Sequence, residues 1–327
     1  MRPFIRRGAR LLFIIQVLIM TANFERLLQD VKSDRKSGAW VVAQKTIDCL
    51  EALIREKSAA SVDDLVGEIA RVAREVLASQ PGMAQLANLF NQLFVTIESE
   101  SSGDAIVLSR RVSGEAKRFS EHSKNAVAKV SELGAELINP DAIILVHSNS
   151  STVFEIIKRA HGAGKSFEVI VTESRPVNEG RSCALELSRL GIPSIYIIDA
   201  AVSKGVEQAD IVLLGSDSLS EKYIVNKIGS TAISLLAREA VVPCYAVGES
   251  SKFTPQKLKP KKEQPRDPGE VWKSPPENTR IESYYFDDVP LDFFTGIVTE
   301  EGILTPEEIG GRIRAQKMST KLIEMLK

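Results

Sequence analysis

The chain is poor in the residues that carry redox, metal and disulfide chemistry. Its three cysteines, Cys49, Cys183 and Cys244, form no C-x-x-C pair and lie near no histidine at ligand spacing. His122, His147 and His161 are too scattered for a metal motif, so neither a metal nor a cofactor is expected. Free thiols point to a reducing compartment, and the expected location is cytoplasmic. Lys and Arg number 42 against 43 Asp and Glu, a net charge of -1. That balance excludes the broad basic face of a direct nucleic-acid binder. No G-x-G-x-x-G follows the first predicted strand and no Walker A sequence is present, which excludes the common dinucleotide and P-loop sites. The apolar run Leu11–Met20 is too short to span a bilayer, so no membrane partner is expected.

That run follows a basic start, as in a signal peptide, but Thr21-Ala22-Asn23-Phe24 is a poor cleavage site. Residues 1–20 therefore read as a leader of doubtful status before a start at Met20. What remains is ordinary globular material, with 43% hydrophobic and 26% charged residues.

Residues 21–138 read as a helical domain. Val42, Ile47, Leu50 and Ile54 fall at helical spacing within Ala39–Lys57. Ser61-Val-Asp-Asp64 resembles a capping box and opens a helix carrying Leu65, Ile69, Val72 and Val76. Met83–Ile97 and about Asp104–Leu137 continue the helical pattern. At Asn139 the texture changes. Apolar runs at Ala142–Val146, Glu168–Val171, Ser194–Ile198, Ile211–Leu214 and Pro243–Val247 predict strands. Ser151–Ala163, Asn178–Leu190 and Lys227–Ala240 predict helices between or after them. Such alternation indicates an α/β domain, a Rossmann-like parallel sheet over 139–327. Thr254–Arg280 holds six of the fourteen prolines and reads as an exposed, irregular loop. A last strand near Gly296–Val298 precedes a helix starting at Pro306.

The most informative stretch is Ile211–Gly229, IVLLGSDSLSEKYIVNKIG. A buried strand there ends in Gly-Ser-Asp, and Asn226 and Lys227 follow. Ligands of open α/β sheets bind at this end of the strands. The other strand ends are also polar: His147–Thr152, Thr172–Pro176, Asp199 and Gly248–Lys252. Helix caps alone account for Ser148–Thr152 and Asp199, and a buried Arg175 could pair with Asp199 or Glu173. Taken together, Arg175, Lys227 and Lys252 offer cations for a phosphate. Asp217 and Asn226 suit sugar hydroxyls. The set reads as a pocket for a phosphorylated sugar or a nucleotide. Cys183 and Cys244 read as packed core thiols.

ESRP at Glu173–Pro176, GSD followed by NKIG at Gly215–Gly229, and GESSKF at Gly248–Phe253 resemble the translation initiation factor 2B alpha/beta/delta family. Phe286–Pro290 and Val298–Pro306 are similar to its closing motifs. That family is similar to the isomerases of methylthioribose-1-phosphate and ribose-1,5-bisphosphate. The resemblance, from about Asp34 onward, implies a helical domain, a Rossmann-like domain and association with itself or related subunits, mainly through the latter. It also implies ligand contacts at Lys36, Gly38, Ala39, Asn226, Lys227 and Lys252. In the isomerases a cysteine and an aspartate move protons. The aspartate matches Asp217, but Ser148 stands at the cysteine position. Gln80 stands where the isomerases place an arginine. A serine hydroxyl is a far weaker acid than a thiol and needs a base to activate it. His147, its neighbour on a strand, is badly placed to serve. The expected function is therefore a regulatory protein that dimerises and binds a phosphosugar or nucleotide. The alternative is an aldose–ketose isomerase of a phosphorylated pentose, with Asp217 as its catalytic group.

Overall fold

The computed structural model describes residues 23–34, 37–57, 61–80, 82–255 and 266–326. The leader at 1–20 and positions 256–265 of the Pro/Lys-rich loop lie outside the described residues. The chain forms two compact units. One comprises positions up to 81, Leu86–His122 and Lys317–Lys327; the other comprises Gly82–Gln85 and Ser123–Gln316. The change of sequence texture at Asn139 and this division do not coincide. The division passes through a long helix whose later residues Val130 and Ala135 share a core with the sheet.

The first unit is helical: α1 (23–33), α2 (Ala39–Lys57), α3 (Val62–Ser79), most of α4 (Ala84–Glu98) and the start of α5 (Ala105–Glu136). The periodic residues of α2 and α3 are all buried, Val42, Leu50, Leu65 and Ile69 completely. The Ser61 side chain accepts from the Asp64 amide and caps α3, an interaction worth about 1 kcal/mol.

The second unit is built on strands β1 (Ala142–Val146), β2 (Phe167–Thr172), β3 (Ser194–Ile197), β4 (Ile211–Gly215), β5 (Ser218–Leu219), β6 (Tyr223–Lys227), β7 (Cys244–Val247), β8 (Phe286–Pro290), β9 (Gly296–Thr299) and β10 (Gly302–Leu304). Seven of them form one sheet in the order β10-β9-β7-β4-β1-β2-β3. All its neighbours pair in parallel except β10 with β9. Helices α6 (Ser151–Gly162), α7 (Gly180–Arg189), α8 (Val202–Gln208) and α9 (Ser230–Glu239) lie between the parallel strands in sequence, and α10 (Pro306–Arg314) follows β10. One core contains Leu145, Ile170, Val212 and Leu214, and another contains Ile144, Val146, Val169 and Leu213. Alternate residues of the same strands thus enter different cores, as a sheet buried on both faces requires. From β1 the chain proceeds outward through β2 and β3, then returns to place β4 on the other side of β1. The topological switch therefore falls between β1 and β4, where the crevice of such a sheet opens.

The expected strands are all present, with bounds shifted by a residue or so. The sequence pattern predicts neither α8 nor the last helix, α11 (Thr320–Leu326). The expected helix at Lys227–Ala240 is corrected, because its first residue ends β6 and α9 begins only at Ser230. β5, β6 and β8 form a second, antiparallel sheet that the sequence pattern does not predict. The expected irregular loop holds a 3-10 turn at Pro268–Glu270, and Thr254 is buried rather than exposed.

Candidate functional site

Ser148 follows β1 with φ 69°. Its amide donates to Ser174 Oγ at 2.8 Å, which fixes the loop through the next strand's end. His147 is buried. Its Nε2 lies 2.8 Å from the Ile228 carbonyl, so Nε2 carries the proton. Nδ1 then accepts from the Thr172 hydroxyl at 2.6 Å. Burial pushes the His147 pKa down, and this neutral tautomer results. Both ring nitrogens are engaged, so His147 cannot activate Ser148. The obstacle is one of hydrogen bonding rather than of strand alternation.

β4 ends at Gly215, where a Cβ would lie 2.5 Å from the Ser150 Cβ. Glycine here lets the Ser150 cap of α6 approach the strand end. Asp217 follows, and its amide donates to the Val225 carbonyl at 2.8 Å. This bond ties the strand-end carboxylate to β6. Burial pushes the Asp217 carboxyl up, and Glu179 and Glu249 add to the effect, while Lys252 and Lys227 oppose it. A carboxyl raised by folding holds more protons in the native state. Its contribution to stability is present at low pH and is lost as pH rises from about 4 through the folded value. Asp217→Asn should therefore raise the thermal midpoint at pH 8, and the gain should shrink as pH falls toward about 4. Melting curves across that range check the sign, and a gain that grew on acidification would contradict it.

β6 delivers Asn226 and Lys227. Asn226 Nδ2 donates to Ser230 Oγ at 2.8 Å. Lys227 Nζ donates to Glu179 Oε1 at 2.8 Å, with only 4% of the lysine side chain exposed. Gly229, at φ 103°, then turns the chain into α9. The N-terminus of α9 is not left for a ligand, because Asp287 Oδ2 accepts from the Gly229 and Thr231 amides at 2.9 and 3.0 Å. After β7, the 3-10 turn Ser250–Lys252 buries Lys252, whose Nζ lies 3.4 Å from Glu249 Oε2.

Arg175 is exposed, which corrects the expectation of a buried arginine. Asp199 instead holds the backbone amides of Ser174 and Arg175 at 2.7 and 2.8 Å. The Arg175 guanidinium donates to the Val271 carbonyl at 3.2 Å. The second unit therefore holds Ser148, Arg175, Asp217 and Lys252 on the loops and turns after its strands, with Asn226 and Lys227 at the end of β6. Glu179 and Glu249 pair with the two buried lysines, and sequence reasoning assigned neither a role at the site. Glu179 Oε2, Asn178 Oδ1, Glu249 Oε2 and Gln85 Oε1 are buried oxygens that accept no hydrogen bond.

In the first unit, Ala39 is buried at the start of α2, and the Gly38 carbonyl accepts from Val42 N at 3.2 Å. Lys36 lies outside the described residues. Gln80 is buried and donates through Nε2 to the carbonyls of Val31 and Asp34 at 2.9 and 2.7 Å. Its amide ties the end of α1 to the end of α3. A cleft of about 610 Å³ in this unit is lined by Asp30, Asp34 and Asp48 against Lys45, a balance unsuited to an anion.

Cys183 and Cys244 are buried, and burial pushes both thiols up to about 12, so they are inert core groups. Among the described residues, no group of three or more His, Cys, Asp or Glu could hold a metal, and no helix is long and apolar enough to cross a membrane.

These features define an α/β protein with polar, cationic loops at a topological switch. The chain belongs to the initiation factor 2 subunit family, whose profile matches residues 35–306. It is 30% identical over 290 residues to a ribose 1,5-bisphosphate isomerase of Thermococcus kodakarensis, covering 86% of this chain and 90% of that one. It is 32% identical over 284 residues to a putative translation initiation factor eIF-2B subunit 2-like protein of Pyrococcus furiosus, covering 86% and 96%. The crystal structure of Pyrococcus horikoshii translation initiation factor eIF-2B superposes with a TM-score of 0.75 at 30% identity, covering 88% of this chain and 98% of that one.

Proposed function

We propose that this protein is an initiation-factor-2B-like regulatory protein that binds a phosphorylated sugar, or a nucleotide through its sugar phosphate, without converting it. One observation carries the reading. Two buried ammonium groups, Lys227 and Lys252, are paired with Glu179 and Glu249; Glu179 keeps a second, buried oxygen, Oε2, that accepts no hydrogen bond, and Glu249 Oε2 has only the Lys252 ammonium at 3.4 Å. Buried acceptors without donors are costly. A ligand that brings hydroxyl donors and an anion together satisfies both halves of the arrangement. A simple anion would satisfy the lysines alone.

The absence of turnover rests on Ser148. The resemblance puts it where the isomerases use a cysteine, and the neighbouring His147 has no lone pair to spare. Association into dimers or larger assemblies with itself or related subunits belongs to the same reading. A second reading, isomerisation of a phosphorylated pentose, is favoured by Asp217, a strand-end carboxyl that burial pushes up from its ordinary value.

Thermal shift with ribose 1,5-bisphosphate, ribose 5-phosphate and ribose tests the proposal. Ligand binding to the native state raises the midpoint by mass action. The expected order is bisphosphate above monophosphate, with no shift from ribose. Equal, negligible shifts for all three would leave no ligand site of this kind.

A further inference from the structure

Glu249 stands at the N-cap position of the 3-10 turn Ser250–Lys252, yet its side chain makes no cap hydrogen bond. The Ser250 amide donates to Glu300 Oε2 instead, at 3.0 Å. The Glu249 carboxylate is completely buried, and all its contacts are long. Lys252 Nζ lies 3.4 Å from Oε2, the Ser251 hydroxyl donates to Oε1 at 3.3 Å, and the Gln85 amide nitrogen reaches Oε1 at 3.5 Å. Glu179, by contrast, meets its lysine at 2.8 Å and is partly exposed. Of these two carboxylates, Glu249 is the less well compensated.

Gln85, the second residue of α4, is also completely buried and belongs to the same unit. Its Nε2 donates to the Ser123 and Ser251 hydroxyl oxygens, each at 3.1 Å, so two N–H groups serve three acceptors. Its Oε1 accepts nothing. Turning the amide over would set that oxygen against Glu249 Oε1, so the observed orientation is the favourable one. Glu249 Oε2 and Gln85 Oε1 are both buried acceptors without a hydrogen-bond donor, on two groups whose other ends meet. A carboxylic acid and a primary amide pair through two hydrogen bonds, amide N–H to acid carbonyl and acid O–H to amide oxygen. The first is present here at its outer limit, and a proton on Glu249 Oε2 would supply the second.

We infer that Glu249 is a proton-binding residue of the ligand site, with Gln85 as the acceptor that holds its protonated form, so that a phosphorylated ligand binds together with a proton. The inference rests on the phosphosugar reading given above. The charged groups around Glu249 are Lys252 on its own turn, Asp217 after β4, the Lys227–Glu179 pair that acts on the same aspartate, and Glu300 on the neighbouring Ser250 amide. Two ammonium groups thus already face three carboxyl groups, those of Glu179, Glu249 and Asp217. A phosphate arriving at Lys252 sets a further anion against Glu249 in a poorly screened place. One proton from solvent, bound at Oε2, neutralises Glu249. The new O–H donates to Gln85 Oε1, and the Lys252 ammonium is left to the phosphate. Affinity then rises as pH falls, until the phosphate itself protonates near a pKa of about 6.

Calorimetric titration of the full chain with ribose 1,5-bisphosphate at pH 8, in buffers of different ionisation enthalpy, counts the protons. The phosphates are ionised at that pH, so uptake belongs to the protein. Uptake should approach about one proton per ligand in the unaltered chain and in Asp217→Asn. It should fall to about none in Glu249→Gln, which should bind about tenfold more tightly at pH 8. Gln85→Leu should reduce the uptake, and should change it no further when added to Glu249→Gln. Difference infrared spectra on ligand addition should gain a carboxylic-acid carbonyl band that Glu249→Gln lacks. Unliganded melting curves report whether each variant is folded, and if Glu249→Gln is not, undiminished uptake in Gln85→Leu overturns the inference. If the unaltered chain binds without proton uptake, or if uptake persists in Glu249→Gln, Glu249 is not the proton site and the phosphosugar reading survives. If the unaltered chain does not bind the bisphosphate at all, both fail.

Discussion

Replacing Lys227 with methionine should reduce affinity for ribose 1,5-bisphosphate by about a hundredfold. The ammonium is buried, with 4% of the side chain exposed, and so is poorly screened by solvent. In the unliganded chain it is held by Glu179 and by the face of Tyr285. A phosphate entering here finds a charge whose desolvation has already occurred on folding. That preorganisation makes a single lysine worth more than a surface one. Methionine preserves much of the length and apolar stem but leaves Glu179 without its partner. A loss of about 3 kcal/mol in stability should accompany the loss of affinity, because a largely buried ion pair is broken. Calorimetry and chemical denaturation separate the two effects. A variant that is destabilised yet binds normally would remove Lys227 from the site.

Ser148→Cys should create measurable ketose formation from ribose 1,5-bisphosphate, about a hundredfold or more above the unaltered chain. The reasoning is that of acidity. A hydroxyl gives up its proton only to a base, and the nearest imidazole has its Nδ1 lone pair occupied by Thr172. A thiol begins near a pKa of about 8.5 and is lowered further close to a helix N-terminus. Position 148 lies just before the Ser150 cap of α6. The double variant Ser148→Cys with Asp217→Asn should be silent. If Ser148→Cys binds the bisphosphate but forms no ketose, the missing thiol is not what separates this chain from an isomerase.

Much of this arrangement was legible in the residues. The strands β1, β2 and β4 are short runs of Val, Ile and Leu bounded by polar residues, and burial on both faces produces that pattern. The rule that ligands meet the carboxyl ends of such strands was enough to single out Asp217, Asn226, Lys227 and Lys252. β6 was hidden for a physical reason. Its residues Tyr223–Lys227 run directly into a helical pattern, and their strand state depends on pairing with Phe286–Pro290, far along the chain. Local periodicity carries no information about such a partner. The same holds for Glu179 and Glu249. Each is an ordinary charged residue until folding brings it to a buried lysine. Tyr285 sits just beyond a stretch that composition marked as a solvated loop, and its approach to Lys227 is likewise a tertiary fact. Gln80 is the converse case. Its sequence position suggested a lost ligand contact, and the structure gives it two backbone carbonyls to hold.

The central claim is that the site binds a phosphorylated sugar and does not convert it. The most direct test is to follow carbon-labelled ribose 1,5-bisphosphate by NMR with the unaltered protein, at concentrations where calorimetry shows saturation. The account predicts saturable binding, loss of that binding in Lys227→Met, and no ketose signal over hours. Ketose formation by the unaltered chain that disappears in Asp217→Asn would contradict it and establish the isomerase reading in its place.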